Sequence, residues 1–98
     1  MAQVVYIGDE ATATGFRLAG VDARVASAGD AAAMLRQAFA ERPDCVLLDG
    51  TLLDYVPAVE LEHALLALAP LFAVIADVRG RGAPANLART VRNALGID

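Results

Sequence analysis

The sequence predicts an α/β fold, a single four-stranded parallel sheet in the order 2-1-3-4 with helices on both faces and a further helix at the C-terminal end. Three observations lead there. Four short apolar runs alternate with stretches of helical period, the connections between them are only a few residues long, and the third run (DCVLLD, Asp44–Asp49) is apolar almost throughout, as a strand covered on both faces must be. The 98 residues make one domain, with 1–78 as its βα core and 79–98 as a glycine-rich connection and C-terminal helix of the same unit.

The first strand is Gln3–Gly8 (QVVYIG), β-branched and aromatic, and it ends in a turn-forming Gly-Asp pair. Thr12–Ala19 reads as a short helix with a threonine as its N-cap and Gly20 as its stop. Gly15 inside that helix costs about 1 kcal/mol against alanine, which suggests that another backbone comes close. Asp22–Ala26 is a second, edge-like strand. Asp30 then caps a helix that runs through Glu41, with Ala31, Met34, Leu35, Ala38 and Phe39 on one face and Pro43 as its end. After the third strand and Thr51–Val56, Pro57 opens a helix running to about Ala69, where Pro70 stops it. Leu71–Val78 is the fourth strand, Arg79–Ala83 a flexible link, and Pro84 starts the last helix, whose stripe is Leu87, Val91 and Leu95.

Composition excludes several function classes. The chain carries 57% hydrophobic and 20% charged residues and a net charge of −4, which speaks against disorder and against a general nucleic-acid face. All eight basic residues are arginine, so no chemistry that needs a lysine is open to it. The single cysteine, Cys45, opens an apolar run and reads as a structural thiol in a reducing compartment. No apolar run is long enough to span a membrane, and no basic region precedes the first strand as in a signal peptide, so a cytoplasmic protein is expected.

In this layout, that of flavodoxin-like and receiver-like domains, ligands bind beyond the carboxyl ends of the strands. Asp9, Glu10 and Asp49 fall there, and three carboxylates could hold Mg²⁺ with Asp49 as a phosphoacceptor. Against a working receiver stand the missing lysine, the missing fifth βα unit, and Ala76-Asp77 where a hydroxyl is wanted. The plainer reading is that Asp9 and Glu10 favour the positive end of the first helix and that Asp49 ends its strand in a turn. Gly8 is followed by acids, not glycines, so no phosphate cradle forms. The loop bearing Arg79, Gly80, Arg81 and Gly82 could accept an anion but reads better as a connection. His63, the only histidine, has no nucleophile at triad spacing, is set off the faces of Glu60 and Glu62, and is expected as a half-buried packing residue. No cofactor and no metal are expected, and no enzymatic activity of the chain's own.

Contact surfaces are more promising. The Pro57–Ala69 helix carries two apolar stripes, Val59–His63–Leu66 and Leu61–Leu65–Leu68, where a sheet-covering helix needs one. The last helix sets its apolar stripe beside Arg89 and Arg92, donors for an acidic partner.

The stretch Gly8–Val21 (GDEATATGFRLAGV) resembles the N-terminal signature of the F subunit of the A-type and bacterial V-type rotary ATPases, matching at Gly8, Asp9, Glu10, Thr14, Gly15, Phe16, Leu18, Ala19 and Gly20. The length, the four βα units and the closing Leu95–Ile97 also fit, whereas Ala76–Arg81 stands where the family often has an Ile-Pro segment. The resemblance implies a non-catalytic central-stalk component. It would bind the coiled coil of the D subunit and, through it, meet the A/B catalytic head and the membrane rotor, tuning the coupling of ATP synthesis or hydrolysis to ion transport. Such a protein is cytoplasmic and peripheral to the membrane, neither inserted in it nor bound to nucleic acid. On this reading Gly15, Phe16 and Arg17 lie at an assembly surface, Leu87, Arg89, Val91, Arg92 and Leu95 dock on the coiled coil, and Gly80 and Gly82 form a hinge. The alternative is a degenerate receiver-like signalling domain that uses the acidic pocket of Asp9, Glu10 and Asp49.

Overall fold

A computed structural model describes residues 2–81. Its four parallel strands lie in the order β2-β1-β3-β4, as the sequence predicts. They are β1 (Val4–Gly8), β2 (Asp22–Val25), β3 (Cys45–Asp49) and β4 (Leu71–Ile75), joined by α1 (Glu10–Leu18), α2 (Ala31–Ala40) and α3 (Ala58–Leu66), with a 3₁₀ segment Gly50–Tyr55 between β3 and α3. The predicted last helix lies outside the described residues.

Strand periodicity sorts the side chains onto two faces. Val5, Ile7, Val46 and Leu48 point to one side, where they pack with Ala31, Leu35 and Ala38 of α2, Leu52 and Leu53 of the 3₁₀ segment, and Leu61 of α3. Tyr6 points to the other side and meets Ala13 of α1 and Ala23 of β2, with Phe16, Val21, Leu47 and Ile75 half-buried around them. The α2 face is the one that the sequence predicts, and all three of its closest residues are fully enclosed.

Several boundaries move, each for a local reason. Helix α1 starts at Glu10, so no threonine caps it. Asp9 holds the N-cap position in extended backbone without a side-chain cap bond, and Thr12 is buried in the first turn. At its far end Gly20 sits at φ 90°, and the bonds Gly20 N–H to Arg17 O and Val21 N–H to Phe16 O close a Schellman motif. Asp30 precedes α2, but its carboxylate accepts from the backbone and hydroxyl of Ser27 behind it rather than capping the helix. Helix α3 ends at Leu66, three residues before the predicted Ala69. Ala67 is already extended, and a residue preceding proline is kept out of helical backbone, so the chain unwinds ahead of Pro70. Strand β4 stops at Ile75 because Asp77 folds the next residues into a turn.

Candidate functional site

The carboxyl ends of β1, β3 and β4 bring Asp9, Asp49 and Asp77 together, with one oxygen from each within 4.8 Å of the others. Asp9 and Asp49 are where the sequence reading puts them. Glu10 is not part of the group; it lies exposed on the first turn of α1, where its charge suits the helix dipole. Asp77 takes the third place. A hydroxyl is wanted at that point for phosphoryl chemistry, so Asp77 registers in the sequence only as a mismatch.

Asp49 and Asp77 are engaged by the fold itself, whereas among the described residues Asp9 meets only the distant Tyr6 hydroxyl that it shares with Asp49. Asp49 is buried, and its Oδ1 accepts from the Thr51 backbone at 2.9 Å and from the Thr51 hydroxyl at 2.8 Å. Between Asp9 and Asp49 stands the hydroxyl of Tyr6, 3.4 Å from Asp9 Oδ1 and 3.5 Å from Asp49 Oδ2. Burial of the ring, then the neighbouring charge of Asp49, push that phenol far above its ordinary value, so it stays a neutral donor. Asp77 accepts from the Arg79 and Arg81 backbones, each at 2.9 Å, and from the Arg81 guanidinium. Its burial works against the charged form, but these bonds outweigh it and hold the carboxyl below its usual value. Three carboxylates of this kind suit a hard cation. Here they organise Tyr6, the β3 end and the turn after β4.

That turn bears on the predicted connection. Gly80 stands at φ 78°, the left-handed region open to glycine, and its N–H bonds to Asp77 O, while Asp77 N–H bonds to Arg81 O. The Val78 N–H donates to the buried Thr12 hydroxyl at 3.0 Å, which ties the exit of β4 to α1. Arg81, a candidate anion donor from sequence, is engaged with Asp77. Gly82, Leu87, Arg89, Val91, Arg92 and Leu95 lie outside the described residues.

On α1, Phe16 stacks on Tyr6 with ring centroids 4.7 Å apart, and Arg17 donates twice to the Ala23 carbonyl. Both side chains therefore hold α1 against the sheet. Gly15 is exposed and a Cβ there would meet open space, so the close approach suggested by the sequence is not made within the described residues. Beside it runs a hollow of 390 Å³ bordered by Phe16, Ala19, Ala76 and Val78. Cys45 is half-buried, and burial pushes its thiol up. His63 is exposed, where the sequence predicts a half-buried position. It also shares a hollow between α2 and α3 with Glu60, because residues three apart on a helix do face the same way.

The family described as ATP synthase (F/14-kDa) subunit matches residues 4–92, nearly the whole chain. The chain belongs to this family. Comparison with curated proteins gives no match. Membership accords with the Gly8–Val21 signature and makes the chain a component of an ATP synthase. No helix among the described residues is long and apolar enough to cross a membrane.

Proposed function

We propose that the protein is a non-catalytic central-stalk component that binds the coiled coil of the D subunit and, through that shaft, modulates the coupling of ATP chemistry in the A/B head to ion flow. The family match over residues 4–92 carries this reading. Two features of α1 support it. Gly15 leaves backbone that no described side chain covers, where a partner helix can approach closely, and the hollow beside it is bordered by Phe16, Ala19 and Val78. The engagement of Asp49 and Asp77 within the fold supports a protein without an active site of its own. Leu87, Arg89, Val91, Arg92 and Leu95 supply the second part of the docking surface, and Gly80 and Gly82 let it shift.

Co-expression with the D subunit of the same organism, followed by native mass spectrometry, tests the proposal. The expected result is a one-to-one complex that weakens when Arg89 and Arg92 are both changed to Glu. Absence of a complex at low ionic strength would overturn it. A titration with Mg²⁺ and beryllofluoride, read at the amide of Asp49, would then test the receiver-like alternative.

A further inference from the structure

We infer that the turn Asp77–Arg81 is a latch on the chain leaving β4, and that the Thr12 hydroxyl of α1 locks it, so that Gly80 pivots only when both grips let go together. The latch builds on the hinge that the stalk reading assigns to Gly80, but it is tested without a partner, so the failure of one is distinct from the failure of the other. Val78, Arg79, Gly80 and Arg81 are all exposed, and Val78 is 64% so. Burial therefore does not hold these residues in place. Two polar grips do.

The first grip is Asp77, whose side chain is fully enclosed and whose polar atoms are all engaged within the turn. Its N–H donates to Arg81 O at 3.0 Å, and its carbonyl accepts from the Gly80 N–H at 2.9 Å. Its Oδ1 accepts from the Arg79 and Arg81 amides, each at 2.9 Å, and its Oδ2 from Arg81 Nε. This ring of bonds keeps Gly80 at φ 78°. The second grip comes from 66 positions away, where the Thr12 hydroxyl accepts from the Val78 N–H at 3.0 Å. Among the described residues, that is the one hydrogen bond that ties Val78–Arg81 to anything but Asp77. Neither grip slips alone at low cost. Swinging the turn out with Thr12 still bonded would strand an enclosed carboxylate, and breaking the Thr12 bond alone leaves a part-buried N–H without an acceptor. Joint opening brings water to both, which gives the turn two states rather than a continuum. The hollow bordered by Thr12, Gly15 and Phe16 of α1 and by Ala76, Asp77 and Val78 touches both grips, so a contact made there bears on Gly80.

The test uses the full chain, ¹⁵N-labelled, at neutral pH, with amide exchange and heteronuclear relaxation read residue by residue. Thr12→Val keeps the shape of the side chain and removes the acceptor, whereas Thr12→Ser keeps the hydroxyl. In Thr12→Val, exchange is expected to rise about ten-fold at Val78 and by a similar factor at Arg79, Gly80 and Arg81, with β1 unchanged. Gly80 should also gain motion on the picosecond to nanosecond scale. Thr12→Ser should restore the parent pattern. Asp77→Asn should speed exchange at Val78 as well, although it does not touch that bond, because coupling between two grips is reciprocal. Faster exchange confined to Val78 in Thr12→Val would overturn the inference. So would a Val78 amide that exchanges in Asp77→Asn as it does in the parent, or a rise of equal size throughout β1, which would be general loosening. Should Thr12→Val fail to fold, Asp77→Asn decides alone, through Val78.

Discussion

Glycines 8 and 15 show what spacing reveals about single residues and what it hides. The sequence marks Gly15 as costly in a helix and infers a close neighbour, yet a Cβ there meets nothing among the described residues, while at Gly8 it would collide with the Tyr6 ring end and come within 2.7 Å of Asp49 Cβ. Helical context reveals that a glycine is out of place. It does not reveal what lies above a strand end, because Tyr6 reaches that spot from two residues upstream and Asp49 from another strand. The two positions therefore respond oppositely to alanine. Gly15→Ala is expected to stabilise the isolated chain by about 0.5–1 kcal/mol through helix propensity and reduced unfolded-state freedom. On the stalk reading proposed above, it should also weaken the complex with the D subunit in co-expression. Gly8→Ala is expected to destabilise by about 1–3 kcal/mol, as overpacking does. Urea denaturation of the two variants beside the parent checks both signs.

At the scale of elements, the order and type of every described α-helix and strand were legible, because hydrophobic patterning reports burial directly, whereas the 3₁₀ segment Gly50–Tyr55 was not. The ends were less legible wherever a side chain from elsewhere in the fold sets them. Thr12 looks like a cap in isolation but spends its hydroxyl on the Val78 backbone, and β4 looks continuous through Val78 until Asp77 turns the chain. Asp77 was also the part of the candidate site that the sequence could not supply, since its role depends on Arg79 and Arg81 folding back upon it. The turn is expected to be acid-sensitive. The folded Asp77 carboxyl is held below its ordinary value of 3.8, so its stabilisation is complete above that pH and is lost as pH falls through the lower folded value. Hydrogen-exchange protection factors at the Arg79 and Arg81 amides should therefore drop below about pH 4, more steeply than those in β1. In Asp77→Asn, protection at these two amides should be lower at neutral pH and nearly independent of pH. Equal pH profiles for the turn in parent and variant would remove the role assigned to this carboxylate.

Among the described residues the sheet has one heavily covered face, and α3 presents one stripe to it and one away. The two-stripe pattern of α3 leaves open how much the core absorbs. The structure encloses Leu61 and half-buries Leu65, while Val59, Leu66 and Leu68 remain exposed. Leu61→Ala is then expected to cost about 2–5 kcal/mol, and Leu66→Ala to stay within about 0.5 kcal/mol of the parent. Thermal or urea unfolding separates them; similar losses would mean that both stripes belong to the core.

The edge strand β2 is held by a different device, which no sequence period announces. Arg24 bridges its own strand neighbour Asp22 and, 17 positions away, Glu41 at the end of α2, with contacts of 2.8 Å to each. Hydrogen bonds from Arg24 hold both carboxyls below their ordinary values of 3.8 and 4.5, and those same bonds raise the guanidinium's own value. For groups whose folded values are depressed, the unfolded chain takes up protons first as pH falls, so stability decreases on acidification through the range just below the ordinary values. The urea midpoint is therefore expected to be flat between about pH 7 and 5 and to fall below about pH 4.5. In Arg24→Met the two carboxyls regain ordinary values in the folded chain, and their protonation no longer separates the two states. That variant should start with a lower midpoint at pH 7 and lose less of it on the way to pH 3, so that the two curves converge. Parallel curves would show that the acid response arises from other carboxylates and that the bridge between β2 and α2 contributes only as a surface contact.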